Sequence, residues 1–155
     1  MKQSDLLIIS NLRSNARESL TSMSKKTRIP VSTIFDKLRE NVNGVIKRPT
    51  ILIDFHKLGF PTVSTLLVKV NREHREQLKE HLQKSFNVNS FYKVNNGYDF
   101  IIEVVFRNMQ EQESFIERIE ESFNVLDLKT FFIIDELKKE EFFSNPRAIY
   151  PETYL

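Results

Sequence analysis

The spacing of apolar residues changes its period near Phe60, and this change most constrains how the chain can fold. Between Asp5 and Leu38 apolar side chains recur every three or four residues, which is the period of one helix face. After Phe60, strand-like runs of apolar residues flank two further stretches of helical period. The sequence therefore predicts an all-helical N-terminal part followed by a part that mixes strands and helices.

The N-terminal part carries signals for three short helices. The first two are predicted at Asp5–Leu12 and Leu20–Thr27. Pro30 disfavours helical backbone at Ile29 and fits the first turn of a following helix, so a tight turn precedes the third helix. That helix has an apolar stripe at i, i+3 and i+7, formed by Val31, Ile34 and Leu38. This arrangement predicts a helix-turn-helix module.

The part after Phe60 has the order βαββαβ, which is the ferredoxin-like arrangement. Strands are predicted at 63–70, 88–94, 98–106 and 126–134, and helices at 73–86 and 109–123. The first helix should turn inward Leu78, Leu82 and Phe86, and the second Phe115, Ile116, Ile119 and Phe123. Short extended pieces at 45–48 and 51–53 predict a wing and a link between the parts.

We therefore predict an α+β protein with an N-terminal winged helix-turn-helix and a C-terminal ferredoxin-like βαββαβ dimerisation domain. The predicted boundaries are 1–48 for the DNA-binding domain, 49–60 for a linker strand and 61–155 for the effector-sensing and oligomerisation domain. Two helices cover only one face of a four-stranded sheet, and the predicted opposite face carries apolar residues such as Phe131 and Ile133. An uncovered apolar face predicts a homodimer, with tetramers or octamers as possible higher assemblies.

Charge is distributed unevenly, although the net charge is only +2. Residues 1–48 hold ten Lys or Arg and four Asp or Glu, a surplus of six positive charges, whereas residues 49–155 carry four more acidic than basic residues. A basic N-terminal part joined to an acidic remainder is typical of a protein that carries a phosphate-binding module. Variation among solvated surface charges is the alternative.

Several classes of function are disfavoured by what the sequence lacks. The chain has no cysteine, so disulfides and thiolate chemistry are excluded. No apolar run approaches the ~20 residues that span a bilayer, and the N-terminus lacks a signal-peptide pattern, so we expect a cytoplasmic protein without membrane contact. His56, His74 and His81 form no metal-binding motif, and we predict no metal, cofactor or catalytic residue.

Several segments, in their order and spacing, resemble one known family. They are Asp5-x-x-Ile8-Ile9-x-x-Leu12, Asn15-Ala16-Arg17-x-Ser19, Ile29-Pro30-Val31-Ser32-Thr33-Ile34-x-x-Lys37-Leu38-Arg39, Gly44-Val45-Ile46, Leu58-Gly59-Phe60 and Tyr98-Asp99-Phe100. Together they resemble the leucine-responsive and asparagine-responsive regulators of bacteria and archaea, also called feast/famine proteins. The family usually has glycine where this chain has Arg28 and Asn96, and an acidic run where it has Asn41-Val42-Asn43.

The resemblance implies a transcriptional regulator that binds double-stranded DNA and responds to a small metabolite such as an amino acid. The DNA-binding residues that we predict are Lys25, Lys26, Arg28, Ser32, Thr33, Lys37 and Arg39. The effector-binding residues that we predict are Asn95, Asn96, Gly97, Tyr98 and Asp99. Two simpler interpretations remain, namely that Ser32 and Thr33 only cap a helix and that Asn-Gly forms an ordinary hairpin turn.

Two alternative functions stay open from the sequence. Haem-biosynthetic decarboxylases resemble the same two-part architecture, but the three histidines lie outside the predicted effector strand. An effector-independent architectural DNA-binding protein is the other alternative. We expect a regulator and not an enzyme.

Overall fold

The structure is a computed structural model, and it describes residues 1–149. The chain divides into two compact units, of which the first comprises residues 1–51 together with the described residues after Glu136. The second unit comprises residues 52–136. The sequence assigned residues 61–155 to one domain, of which residues 150–155 lie outside the described residues.

Residues 1–51 of the first unit contain the three predicted helices and a short additional helical turn. They are α1 (Gln3–Ser14), α2 (Leu20–Thr27), α3 (Val31–Arg39) and α4 (Asn41–Gly44). Four fully buried side chains, one from each helix, form the core: Ile8, Met23, Ile34 and Val42. Ile34, the central residue of the apolar stripe predicted for the third helix, is therefore buried in this core.

The turn between α2 and α3 depends on caps and on one left-handed residue. The Ser19 hydroxyl accepts a hydrogen bond from the Ser22 backbone N–H at 3.1 Å and so begins α2. Arg28 ends α2 with a φ of 60°, the left-handed conformation that normally favours glycine. Pro30 then starts α3. The left-handed backbone at this position explains why the family usually has glycine there.

A buried ion pair joins α1 to α3. The Asp5 carboxylate, whose side chain is 1% exposed, pairs with the half-buried Lys37 ammonium and also accepts a hydrogen bond from the Lys2 backbone N–H at 3.0 Å. The hydrogen bond from Lys37 holds the pKa of Asp5 below its ordinary value, against the effect of burial. The pair fixes the rotation of α3 about its axis.

The linker and the C-terminal segment differ from the sequence prediction. No strand lies between residues 45 and 61 of the described chain, so the predicted wing and linker strand are absent. A strand needs partners for its backbone donors, and Pro49 also removes one donor from this segment. Arg13 pairs with Glu140 and donates to the Phe142 carbonyl oxygen at 3.2 Å, which places this C-terminal segment in the first unit.

The second unit has the predicted ferredoxin-like order. Its elements are β1 (Thr62–Val70), α5 (Arg75–Lys84), β2 (Val88–Lys93), β3 (Phe100–Phe106), α6 (Met109–Phe123) and β4 (Val125–Phe132). The four strands form one antiparallel sheet in the order β2-β3-β1-β4. The α+β class predicted from the sequence is confirmed.

One face of this sheet packs against α5 and α6. The buried core includes Leu66 and Val68 of β1, Leu78 and Leu82 of α5, and Phe115 and Ile119 of α6. The prediction that Phe86 also turns inward is wrong, because its side chain is 86% exposed. Phe86 follows the end of α5 at Lys84, so the helical spacing no longer sets its direction.

The other face of the sheet carries apolar side chains that a charged residue interrupts. Leu67 pairs with Ile101 across β1 and β3, and Val63 pairs with Val105. Because paired residues of antiparallel strands share a face, these four side chains lie on one side of the sheet, which we call the open sheet face. Glu103 lies on the same face between Ile101 and Val105, so the apolar side chains of β3 are interrupted there.

Replacement of Lys37 by methionine should destabilise the first unit by about 3 kcal/mol at pH 7, because the buried Asp5 carboxylate loses its counter-charge. Since the pKa of Asp5 is lowered in the folded protein, this ion pair stabilises fully above pH 3.8 and loses its effect as pH falls through the lowered value. Urea unfolding at pH 7 and at low pH measures both effects. Asp5→Asn/Lys37→Met should recover most of the loss, and equal losses in the single and double variants would contradict the assignment.

Candidate nucleic-acid interface

The solvent-facing side of α3 is defined by four side chains. Ser32, Phe35, Asp36 and Arg39 are all exposed, whereas Ile34 is fully buried. Their spacing of i, i+3, i+4 and i+7 places them on one helix face that is roughly 10 Å long. We call these four residues the outer face of α3.

The predicted DNA-binding residues of α3 occupy different environments. Ser32 and Arg39 belong to the outer face, while Thr33 is half-buried beside it. Lys37 is half-buried and its ammonium pairs with Asp5, so the structure gives it a role within the first unit. The position of Asp5, far from Lys37 in sequence, left no local signal for this pair.

The N-terminus of α3 has no side-chain cap. Pro30 occupies the N-cap position and no side chain accepts a hydrogen bond from the first turn there, so neither Ser32 nor Thr33 serves as the cap. Amide groups of a first helical turn that lack such partners favour anions such as phosphate oxygens. The capping interpretation of these two residues is therefore not what the structure shows.

The cations of α2 lie at its C-terminal end, directly before the turn into α3. Lys25, Lys26 and Arg28 are all exposed. Lys26 pairs with Glu18. Burial raises the pKa of Glu18, but the hydrogen bonds from Lys26 and Ser22 lower it, and the net effect is a lowered pKa. Lys25 and Arg28 therefore carry the uncompensated positive charge of this turn.

Phe35 was missed in the sequence analysis. Its side chain is 54% exposed at the middle of the outer face of α3. The local pattern gave no signal, because Phe35 together with Val31, Ile34 and Leu38 has the i, i+3, i+4, i+7 spacing of one apolar helix face. An exposed phenyl ring between Ser32 and Arg39 gives this face an apolar centre.

The predicted effector loop forms an exposed turn between β2 and β3. Asn95, Asn96 and Gly97 are exposed, and Asn96 and Gly97 both have left-handed backbone, with φ of 63° and 91°. Asn96 thus adopts a conformation that suits the glycine usual in the family. Three polar or flexible residues at this turn remain accessible to a ligand.

Tyr98 and Asp99 are instead held by neighbouring strands and by α5. Asp99 pairs with Arg75 at 2.6 Å and accepts a hydrogen bond from the Val70 backbone N–H at 2.9 Å. The Tyr98 hydroxyl donates to Asp127 at 2.7 Å. A hydrogen bond with Tyr98 raises the pKa of Lys129, whose ammonium lies 5.4 Å from the ring centroid. These two residues position the turn.

Other classes of site have little support in residues 1–149. Within this range no cluster of His, Asp or Glu could hold a metal ion, and no helix is long and apolar enough to cross a membrane. A shallow cleft of about 540 Å³ lies beside α6 and is lined by polar side chains such as Asn87, Asn108 and Arg118. None of the predicted effector residues lines it.

Comparison with known proteins relates both parts of the chain to transcriptional regulators. Residues 64–141 match the model of the Lrp/AsnC ligand binding domain. The HTH-type transcriptional regulator FL11 of Pyrococcus horikoshii is 29% identical over 116 residues, which cover 74% of this chain and 77% of that protein. The HTH-type transcriptional regulator LrpC of Bacillus subtilis is 24% identical over 119 residues, covering 76% of this chain and 83% of that protein.

Solved structures share the fold. The structure of Bacillus subtilis LrpC covers 89% of this chain and 97% of its own, with a TM-score of 0.79 and 22% identity. A transcriptional regulator of Neisseria meningitidis in complex with L-Met covers 90% of this chain and 93% of its own, with a TM-score of 0.82 and 18% identity. The curated relatives are transcriptional regulators, which confirms the prediction of a regulator and not an enzyme. The match over half of the sequence and the shared two-part fold establish that the chain belongs to the Lrp/AsnC family of transcriptional regulators.

Proposed function

We propose that the chain acts as a homodimer that binds semi-palindromic DNA through the outer face of α3 and responds to an amino acid. In this proposal residues 1–48 bind DNA and residues 61–155 mediate assembly and sensing. The observation that carries the proposal is the outer face of α3, which lies beside the uncapped helix N-terminus and follows the cations of α2. The same face is held outward by the buried Ile34 and the Lys37–Asp5 pair.

The dimensions and chemistry of this face suit a major groove. An α-helix fits the groove of B-form DNA, and four side chains along roughly 10 Å can contact three or four base pairs. Arg39 provides the fork that contacts guanine or phosphate, and Ser32 provides a short hydroxyl. Lys25 and Arg28 add phosphate contacts without sequence preference, and affinity should therefore fall steeply with salt.

Arg39→Ala should weaken binding to a selected operator about 5- to 150-fold, because a base contact by arginine contributes about 1–3 kcal/mol. Lys25→Ala should weaken binding to all duplexes alike and reduce the salt slope by about one. Mobility-shift titrations at several salt concentrations separate the two effects. Arg118→Ala, on α6 of the second unit, is the control, and unchanged binding by Arg39→Ala would contradict the assignment.

The open sheet face supports the homodimer. Val63, Leu67, Ile101 and Val105 are its apolar side chains on β1 and β3, and the exposed Phe131 adds one on β4, where it pairs with Thr65 of β1. Because a two-fold axis places the same patch on both subunits, one apolar face can cover its copy. Two copies of α3 would then be presented to two half-sites of the DNA.

Ile101→Glu should convert the dimer to monomer, because an unpaired carboxylate in the patch would be buried in the interface. Analytical ultracentrifugation measures the assembly directly. Phe86→Glu is the matched control, since Phe86 is more exposed but lies outside the open sheet face. A dimer that survives Ile101→Glu, or dissociates equally in both variants, would contradict this interface.

The turn at 95–97 supports a ligand role for the second unit. Asn95 and Asn96 carry exposed amide groups that can bind both charged ends of an amino acid, and Gly97 permits close approach of its backbone. The ties of Tyr98 and Asp99 to Asp127 and Arg75 hold the turn in place. The L-Met complex of the Neisseria regulator makes methionine the first amino acid to test.

Asn95→Ala and Asn96→Gly should each weaken amino-acid binding about tenfold, because each removes hydrogen bonds of roughly 1 kcal/mol. Glycine at position 96 keeps the left-handed backbone, so the fold is not strained. Calorimetric titration with L-Met and a panel of other L-amino acids provides the measurement. If no amino acid binds or alters DNA affinity, the architectural alternative is favoured.

A further inference from the structure

Phe35 occupies a position that the stability of the first unit does not explain. Its ring is 54% exposed, although burial of a phenyl group is among the largest apolar contributions a side chain can make. Phe35 is absent from the core cluster formed by Ile8, Met23, Ile34 and Val42 and from the apolar side chains packed against it. In the described part of the chain its ring meets no other aromatic ring and no cation.

Phe35 has both polar and apolar neighbours on α3. Ser32 lies one turn before it, Asp36 beside it and Arg39 one turn after it. Its apolar neighbours on the helix are Val31, one turn before and 41% exposed, and the half-buried Leu38, one turn after. The two exposed apolar side chains of α3, Val31 and Phe35, form a smaller patch than a protein interface requires.

On the basis of the proposed DNA-binding function, we infer that Phe35 selects thymine by contact with its 5-methyl group in the major groove. The thymine methyl is the one apolar group that base edges present in that groove, and phenylalanine is among the side chains that contact it. The polar neighbours of Phe35 on α3 suit the polar groups of the base edges and the phosphates. Arg39 suits guanine or phosphate, and the Asp36 carboxylate accepts from the cytosine amino group while it repels phosphate.

This geometry favours base contact over phosphate contact at the centre of α3. A phenyl ring makes no favourable contact with a phosphate oxygen, so its central position would be a liability on a face that only follows the DNA backbone. The Asp36 carboxylate at the next position would likewise be unfavourable beside phosphate oxygens. Apolar and acidic groups together at the centre therefore indicate readout of base edges, with phosphate contacts left to the cations of α2.

The test uses operators selected from a random pool with the full-length wild-type protein. Each thymine is replaced in turn, in both half-sites, by deoxyuridine, which lacks only the 5-methyl group. For wild-type protein, replacement at one position should weaken binding about fourfold in each half-site, as expected for one buried methyl group. Phe35→Ala should bind the thymine operator as weakly as wild type binds the uracil operator, and should not distinguish the two.

Two further variants keep the result interpretable. Phe142→Ala removes an exposed phenyl group from the same unit outside α3, and it should keep the full sensitivity to uracil. Phe35→Leu preserves an apolar side chain and should keep part of that sensitivity, which also covers the case in which Phe35→Ala no longer binds. Circular dichroism checks that the helices are retained in each variant.

The outcomes separate this inference from the proposed function. If wild-type protein selects an operator but binds all uracil versions equally, the assignment of Phe35 is overturned while DNA binding stands. Equal sensitivity to uracil in wild type and Phe35→Ala overturns it as well. If no duplex is selected at all, the proposed function fails, and the role of Phe35 fails with it.

Discussion

The rotation of α3 about its own axis is the constraint on which the rest of this account depends. A helix can present to DNA only the face that its core contacts leave free. Here Ile34 is fully buried in the core, and Lys37 is tied to the buried Asp5 of α1. These two contacts direct the outer face of α3 toward solvent. An ion pair in a small core thereby acts on function through orientation, in addition to any effect on stability.

Much of the fold was predictable because its signals are local. The helical period, Pro30 and the apolar strand runs placed three helices, four strands and two covering helices correctly within a few residues. The prediction that Phe86 is buried was wrong because a helical pattern does not reveal where the helix ends. The prediction of a wing was wrong because extended residues form a strand only where a partner strand exists. A local sequence pattern cannot show whether such a partner exists.

The candidate site was less predictable because its decisive contacts are distant in sequence. Lys37 belongs to a basic helix by composition, and only the approach of Asp5 shows that its charge is already paired. Asp99 belongs to a polar loop, but its carboxylate is held by Arg75 and by the Val70 backbone. The exposure of Phe35 was not predictable from the local pattern, because its spacing from Val31, Ile34 and Leu38 is that of one apolar helix face.

Two departures from the family's usual glycine show that the backbone conformation persists without it. Arg28 and Asn96 both have left-handed φ angles, which cost a residue with a Cβ roughly 1 kcal/mol or more, with asparagine tolerating them better than most. At Arg28 the substitution also places a cation in the turn between α2 and α3. The strain therefore coincides with added charge at the candidate interface.

The central claim is that the outer face of α3 lies against base edges of duplex DNA. Because the chain has no cysteine, Ser32→Cys provides a unique attachment point for a photoreactive group, and Phe142→Cys provides a control in the same unit. On a selected operator we predict efficient cross-links to bases from position 32 and none from position 142. Stable operator binding without base cross-links from position 32, or with equal cross-links from both positions, would contradict the account.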